Sequence, residues 1–446
     1  MKVTSENRRD NSNMPFRIAI VGGGYAGFAA AMELSSSNRN IALRVFEAGN
    51  TAGGRARRIS YRDTELDNGA HILLGAYKET LRVMGLAGVP TNALLRLPLQ
   101  LAIKDQFRLS AARLPSPFHL LIGLLRADGL TLRDRVAAIR FMVDMRLCKF
   151  RIATDVTVAE LLAAHGQRGK LAEYLWEPLC IAALNTSPQQ ASAQIFLNVL
   201  RDGLAGGKED SDLLLPRVDL SRLFPETAAN HLKQRGGDVA LLCPVQRIEH
   251  YEQRFVLSLK DGTEEADAVI LAVGPHQASR LLSPLSEMSH VVTQIEQLSY
   301  EPICTVYLQY AEDISLPIPM IGLTDGLTQW LFDRQALYGQ RGLIAVVISA
   351  SGNHRMLDHD KLAALIAEEI GRHFPHLQKP LWTKVVAEKF GTFACTPNLL
   401  RPQQQTPIKH FYLAGDYTAG DYPATLEGAV RSGVKCAQLL LGTVKE

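Results

Sequence analysis

Gly22-Gly23-Gly24-Tyr25-Ala26-Gly27 places three glycines at the spacing G-x-G-x-x-G, directly after the apolar run FRIAIV of residues 16–21. In that setting Gly22 permits a tight turn, Gly24 lets backbone come close to a pyrophosphate, and Gly27 allows close helix–strand packing. Tyr25 and Ala26 open the following helix, whose free N–H groups and positive dipole end attract phosphate. Glu47 stands twenty residues after Gly27, at the end of a second apolar run, where a carboxylate can accept from ribose hydroxyls. An acid there favours an unphosphorylated ribose, hence FAD or NAD over NADP. A lone glycine run is a weak signal, because glycine-rich turns occur without ligands; here strand, helix and acid fall in register.

Two further strings separate FAD from NAD. In Gly53-Gly54-Arg55 the glycines let backbone pass close to a cofactor, and Arg55 offers a bidentate fork to phosphate. The competing reading is a turn followed by a basic strand in which Arg55, Arg57 and Arg58 are merely solvated. Near the C-terminus Leu413-Ala414-Gly415-Asp416 ends a strand, and Pro423-Ala424-Thr425 starts a helix running to about Leu441. Asp416 could hold a ribityl hydroxyl. The helix start at Ala424 and Thr425 could face the flavin region where negative charge develops on reduction. Gly428 and Gly433 would let that helix lie close to the sheet and the cofactor, although glycine otherwise weakens a helix.

These residues need a scaffold of parallel strands. Phe16–Val21 and Ile41–Phe46 flank the helical segment Ala26–Leu34 as a βαβ unit, and Ala268–Val273 and Phe411–Ala414 add strands much later in the chain. Strands scattered this widely imply an α/β fold, with a Rossmann-like FAD-binding domain assembled from separated segments (residues 14–85, 231–276 and 405–446). Residues 86–230 and 277–404 then form an inserted α+β substrate-binding domain. The first insertion reads as mainly helical. Thr157-x-x-Glu160 and Ser187-x-x-Gln190 are capping boxes, the second with Pro188 at the first helical position. The helix after Ser187 would put Ala191, Ile195, Val199 and Leu200 on one apolar face. In the second insertion Cys304–Tyr310 and Leu343–Ser349 read as strands, and Asp358–His373 as a helix.

The three separated motifs, in this order, resemble the FAD-dependent amine oxidase and phytoene desaturase superfamily. Longer strings narrow the likeness: residues 66–77 (LDNGAHILLGAY), 175–186 (LWEPLCIAALNT), 212–220 (DLLLPRVDL) and 393–397 (FACTP) are similar to the hydroxysqualene dehydroxylases of bacterial hopanoid pathways. The resemblance runs from about Phe16 to about Leu441. One departure is Gly415-Asp416-Tyr417-Thr418 through Asp421-Tyr422, where the family pattern has Trp after the Asp and Gly-Leu before the Pro. The resemblance implies FAD as cofactor and loss of an allylic hydroxyl from hydroxysqualene, with hydride from reduced flavin N5 giving squalene. Such an enzyme needs an acid for the departing hydroxyl, a dry apolar tunnel and a fixed carbon position. The resemblance places Gly69, Ala70 and His71 near the flavin.

His71 is the first candidate for an active-site acid or polar anchor, against a neutral histidine bonded to backbone. Glu177 beside Trp176 could be an acid with a raised pKa, against a structural role at a helix end. Asp421 and Asn185 are weaker candidates, Asp67 reads as a turn cap, and Tyr422 could stack near the flavin or line the pocket. Two alternatives use FAD as hydride acceptor, a carotenoid-type desaturase and an amine oxidase. Amine oxidation would call for an aromatic cage, and no cage motif is recognisable. A third, a prenyl-protein carrier of the same fold, would have a damaged cofactor site.

Composition sets outer bounds. With 446 residues, 47% hydrophobic and 21% charged, the chain reads as globular, with two to three domains. Lys+Arg 48 against Asp+Glu 45 leaves +3, too little to imply a nucleic-acid partner. Six cysteines without paired spacing are neither a disulfide framework nor a metal site, and fit a reducing cytosol. The polar residues 1–13 read as a flexible tail without a signal peptide, and Met14 as an alternative start. The partner expected is a long-chain isoprenoid lipid. Residues Leu114–Leu125 (LPSPFHLLIGLL) are either core or a surface element that dips into the inner face of the cytoplasmic membrane. The electron donor is not legible.

Overall fold

The computed structural model describes residues 14–377 and 379–444. The tail expected over residues 1–13 lies outside the described residues. Five strands form a wholly parallel sheet in the order Asp238–Ala240, Ile41–Phe46, Phe16–Val21, Ala268–Leu271, Phe411–Leu413. Parallel strands are covered on both faces and therefore read as continuous apolar runs; Ala268–Leu271 is buried at every position. The register pairs Val21 with Phe46 and with Leu271. That brings the carboxyl ends level, so Gly22, Glu47 and Ala272 leave the sheet along one edge. Asp238–Ala240 carries no strand signal of its own, being three residues long and opening on an aspartate.

The second sheet has seven strands, in the order Trp382–Phe393, Tyr300–Gln309, Leu343–Ser349, Trp330–Asp333, Met320–Gly322, Gln100–Ile103, Phe107–Ser110. Residues 86–230 are mainly helical, as expected, but also contribute the last two of these strands. They form a hairpin turned at Asp105, which takes a left-handed φ of 57°. The second strand alternates, with Phe107 and Leu109 buried and Arg108 and Ser110 exposed, the period of a strand with one wet face.

Helices make up most of the rest of the first insertion, with two further short strands, Leu94–Leu97 and Leu213–Pro216. Thr157 caps Val158–Ala164: its Oγ1 accepts from Glu160 N at 3.2 Å while Glu160 Oε2 accepts from Thr157 N at 2.8 Å. The second expected box makes only one turn, in which Ser187 O accepts from Gln190 N and Ala191 N. The helix starts instead at Ala193, because Ser192 is pinned. Its N–H donates to Cys395 O at 2.7 Å, its hydroxyl donates to Asp155 Oδ2 at 2.7 Å, and Oγ accepts from Ile195 N at 3.1 Å. The expected boundary at residue 230/231 falls inside the helix Pro225–Gln234. Ala228 and Leu232 of that helix are buried in one core with Ala29 and Met32, so it belongs with the cofactor half.

The C-terminal helix spans Leu426–Leu441, three residues later than expected, with Thr425 Oγ1 accepting from Gly428 N at 3.1 Å. It packs chiefly on the first helix, Tyr25–Ser35, and also reaches the sheet, where Cys436 Sγ stands 3.1 Å from Leu413 O. A Cβ on Gly433 would stand 2.0 Å from Ala26 O, so only glycine allows that approach. Asp67, at the end of the strand Thr64–Asp67, ties the helix start at Leu220 to the second sheet. Its carboxylate accepts from Leu220 N and Arg334 Nη1, both at 2.9 Å, and the Tyr307 hydroxyl donates to its carbonyl at 2.7 Å.

Candidate cofactor and substrate site

The carboxyl ends of the parallel strands and the first turns of the Tyr25–Ser35 and Leu426–Leu441 helices enclose one cavity of about 600 Å³. Every residue assigned above to the cofactor lines it except Gly27. Gly27 lies beneath the turn, where a Cβ would meet Gly22 O at 2.0 Å. Gly22 itself sits at φ +113°, a region an L side chain rarely adopts. A Cβ on Gly24 would project toward the gap facing Gly54, whose Cα is 3.8 Å away. No side chain caps the first helix, which leaves its opening N–H groups free for an anion.

Glu47 is held at this turn by Gly23 N and Gly49 N, each 2.7 Å from one carboxylate oxygen. Each oxygen keeps lone-pair capacity for a ribose hydroxyl. Arg55 departs from the open fork expected of it. Its guanidinium is bonded to Asp416 Oδ1 and donates to Gly391 O at 2.9 Å. Burial lowers its proton affinity, and the Asp416 carboxylate more than restores it. The cavity therefore meets Arg55 and Asp416 as one ion pair. Arg58 is not solvated either, standing 3.3 Å from Asp219 and 2.8 Å from Glu226. The Tyr25 hydroxyl donates to Leu220 O at 2.9 Å and is already used.

His71 also lines the cavity, with Nδ1 3.0 Å from Gly69 O. A carbonyl only accepts, so Nδ1 carries the hydrogen and the neutral ring keeps Nε2 as an acceptor. Burial lowers the His71 pKa below 6.5, against the smaller upward pull of the Gly69 carbonyl. The ring is thus neutral at neutral pH, and an anchor or proton acceptor describes it better than an acid.

Two catalytic candidates are not at the cavity. Glu177 lines neither this space nor the chamber described next; it opens the helix Glu177–Leu184 after the π-turn Ala172–Trp176. Burial and the neighbouring Glu173 raise its pKa, but away from the reacting space. Asp421 is exposed, and its carbonyl accepts from Asn198 Nδ2 at 3.1 Å. Asn185 does line the cavity, and its amide fastens Thr392 Oγ1 at 2.8 Å and Ala350 N at 2.6 Å.

A second, apolar chamber of about 130 Å³ adjoins the first, sharing Ile72, Tyr77, Ala182, Ala183, Trp330 and Thr425 as wall. Leu99, Leu101, Phe196, Leu200 and Met320 continue it. Tyr422 lines this chamber, and so does Asp202, which the sequence did not single out. Arg401, also missed, braces the loop between Asp416 and Tyr422 by donating to their carbonyls at 3.2 and 3.0 Å. Tyr77 closes the string of residues 66–77; nothing in sequence marks Arg401, whose hydrogen-bond partners are all backbone carbonyls.

FAD fits these residues. The missing side chain of Gly24, the uncapped first helix, the Glu47 carboxylate and the Arg55–Asp416 pair all face one space bounded by a second helix start. The family described as flavin containing amine oxidoreductase matches residues 25–441. The hydroxysqualene dehydroxylase of Sinorhizobium fredii is 30% identical over 96% of this chain and 99% of its own length. That of Rhodopseudomonas palustris is 29% identical over 95% and 98%. Among solved structures, an oxidoreductase from Methanosarcina mazei superposes with a TM-score of 0.74, at 14% identity over 95% of this chain and 100% of the other, a likeness of fold. With a family match across nearly the whole chain and a cavity shaped for the dinucleotide, this protein belongs to the flavin-containing amine oxidoreductases and, within them, to the hydroxysqualene dehydroxylase family.

Proposed function

We propose that this protein reductively dehydroxylates hydroxysqualene to squalene with FAD as its redox cofactor. The observation that carries the proposal is the apolar chamber opening directly off the cofactor cavity, in a chain so similar end to end to hydroxysqualene dehydroxylases. The reaction balances as an alcohol, a hydride and a proton giving a hydrocarbon and water. Reduced FAD, when bound, supplies the hydride. The chain holds FAD through the Gly22–Gly24 turn, Glu47, the Arg55–Asp416 pair and the start of the helix Leu426–Leu441. Phe196, Leu200 and Met320 keep water from an allylic cation that would otherwise be quenched. His71 Nε2 stands as a neutral acceptor beside the cofactor space.

The isoprenoid substrate also supports peripheral contact with a lipid surface. Among the described residues no helix is long and apolar enough to cross a membrane. The helices Phe118–Leu125 and Leu132–Leu147 nevertheless pack together with exposed Phe118, Leu132, Val136, Val143 and Leu147. Exposed Arg113, Arg126, Arg133 and Arg140 lie among them, and basic groups flanking an apolar face suit anionic headgroups. His119, at the base of this face, has Nε2 3.2 Å from Ser211 Oγ, and Ser211 lines the chamber. The lipid-facing helix and the chamber wall are thus one hydrogen bond apart.

The test is anaerobic. The flavin of the purified protein is reduced, hydroxysqualene is added, and the flavin spectrum and lipid products are followed. Reoxidation with formation of squalene is expected. Flavin that stays reduced over unchanged hydroxysqualene would overturn the proposal and leave the hydride-accepting alternatives.

A further inference from the structure

The chamber wall is largely apolar, and Asp202 is the one charged residue in it. The Tyr422 hydroxyl donates to Asp202 Oδ2 at 2.6 Å, and both residues line the wall. The pair is locked from behind. Arg201 Nε donates to Asp202 Oδ1 at 2.6 Å, and the Arg431 guanidinium lies over the Tyr422 ring, 4.4 Å from its centroid, with Nη2 3.4 Å from the phenol oxygen. Arg431 is in turn held by Glu427 at 2.7 Å, a fully buried carboxylate that also accepts from Thr80 Oγ1 at 2.7 Å. Asp202 Oδ2 has this one side-chain donor and capacity for another. Burial pushes the Asp202 carboxyl up, but the hydrogen bonds from Arg201 and Tyr422 outweigh it and hold the group below its usual range. Burial, together with the bond to Asp202, keeps the Tyr422 phenol protonated far above neutral pH.

We propose that Tyr422 and Asp202 form a hydroxyl-binding site in the chamber wall, which takes the alcohol group of a long-chain isoprenoid and rejects the corresponding hydrocarbon. Asp202 Oδ2 accepts the alcohol O–H, and the Tyr422 oxygen fixes the direction of approach. The site rests on the reading of the chamber as the substrate's, and it gives that reading a way to release product. Once the hydroxyl is lost, the hydrocarbon covers the remaining acceptor capacity of Asp202 Oδ2 and brings no donor to it, which is unfavourable. Tyr422 falls at the departure from the family pattern. The role is one of positioning and selection, since a carboxylate held ionised and a phenol held protonated are poor proton donors.

The experiment uses the oxidised FAD-loaded protein and reads the change in flavin absorbance on titration with two ligand pairs, hydroxysqualene with squalene and farnesol with farnesene. The wild type is expected to prefer the alcohol of a pair by about tenfold to a hundredfold, the range of a hydrogen bond to a charged group. Asp202→Asn and Tyr422→Phe are expected to erase most of that preference by weakening the alcohol alone, with hydrocarbon binding unchanged. Tyr422→Phe removes a single oxygen and serves if Asp202→Asn folds poorly. Equal weakening of alcohol and hydrocarbon, an unchanged ratio in both variants, or a wild type with no preference in either pair would overturn the site. Preference for farnesol without turnover of hydroxysqualene would keep the site and overturn the substrate reading.

Discussion

Asp67→Asn is expected to cost about 3–5 kcal/mol of folding stability, the range for removing one partner of a buried ion pair. Asp67 is 0% and Arg334 1% exposed, and their atoms are 2.9 Å apart. In the variant the amide oxygen can still accept from Leu220 N, as Oδ1 does now at 2.9 Å. That choice turns the amide N–H₂ toward Arg334 Nη1, donor against donor. The guanidinium keeps Gln340 Oε1 at 2.7 Å and the Tyr338 ring at 3.4 Å, but no counter-charge. Adding Arg334→Met removes the stranded charge, so the double variant should return to within about 1–2 kcal/mol of wild type, its loss being the Gln340 bond. Urea unfolding followed by tryptophan and flavin fluorescence measures both. Because Asn68, Gly69, Ala70 and His71 follow Asp67 directly and line the cofactor cavity, FAD occupancy should fall in the single variant and recover in the double. A single variant within 1 kcal/mol of wild type, or a double as unstable as the single, would refute the reasoning.

Two other outcomes follow from the site and its surface. His71 has a native pKa below its ordinary 6.5, so the unfolded chain binds a proton that the native one refuses. Its contribution to stability is full above 6.5 and is lost as pH falls through the native value. His71→Asn should therefore flatten the acid side of the urea midpoint against pH. His119, His354 and His410 are lowered in the same direction by burial, so the readout is the difference between wild type and variant, and a difference constant across pH would count against it. On the exposed helical face, Phe118→Asp with Leu132→Asp should weaken binding to anionic vesicles while bound FAD stays constant; undiminished vesicle binding would remove this face as the lipid contact.

What sequence revealed and what it hid follows from how local each interaction is. The glycine turn, its helix and Glu47 lie within a stretch of about thirty residues, and each glycine's role follows from steric demands within that stretch. The Asp416 segment was equally legible as a strand end. The inner bonding of the cofactor site was not, because Arg55 meets Asp416 across 361 residues of chain. Read alone, an arginine after two glycines is a phosphate fork; folded, its first obligation is to a buried carboxylate. The same holds for Ser187-x-x-Gln190, whose spacing suits a cap but which lost the helix to Ser192, fastened from outside by Asp155 and Cys395. The hairpin Gln100–Ser110 was within reach, since Phe107 and Leu109 alternate with polar residues. It was overridden by the helical patterns around it.

Chemistry at the chamber is the extreme of this rule, and it explains why the catalytic candidates fared worse than the cofactor residues. Glu177 and Asp421 stand out in sequence for their carboxylates and their neighbours, but an acid beside a tryptophan or a tyrosine says nothing about which way it faces. The polar pair that does line the chamber joins Asp202, inside an amphipathic helix, to Tyr422, separated from it by 220 residues. In sequence Asp202 is one more charge beside Arg201 on a helix whose other face is apolar, and such charges are ordinarily solvated. Only the C-terminal loop, braced by Arg401 and closed by Thr425 at the start of the last helix, brings the phenol over the carboxylate. A cofactor shared by many enzymes is thus gripped by short motifs that survive in the sequence. The groups that select one substrate are assembled from distant helices and loops, which is where variants that alter selectivity without loss of FAD should be sought.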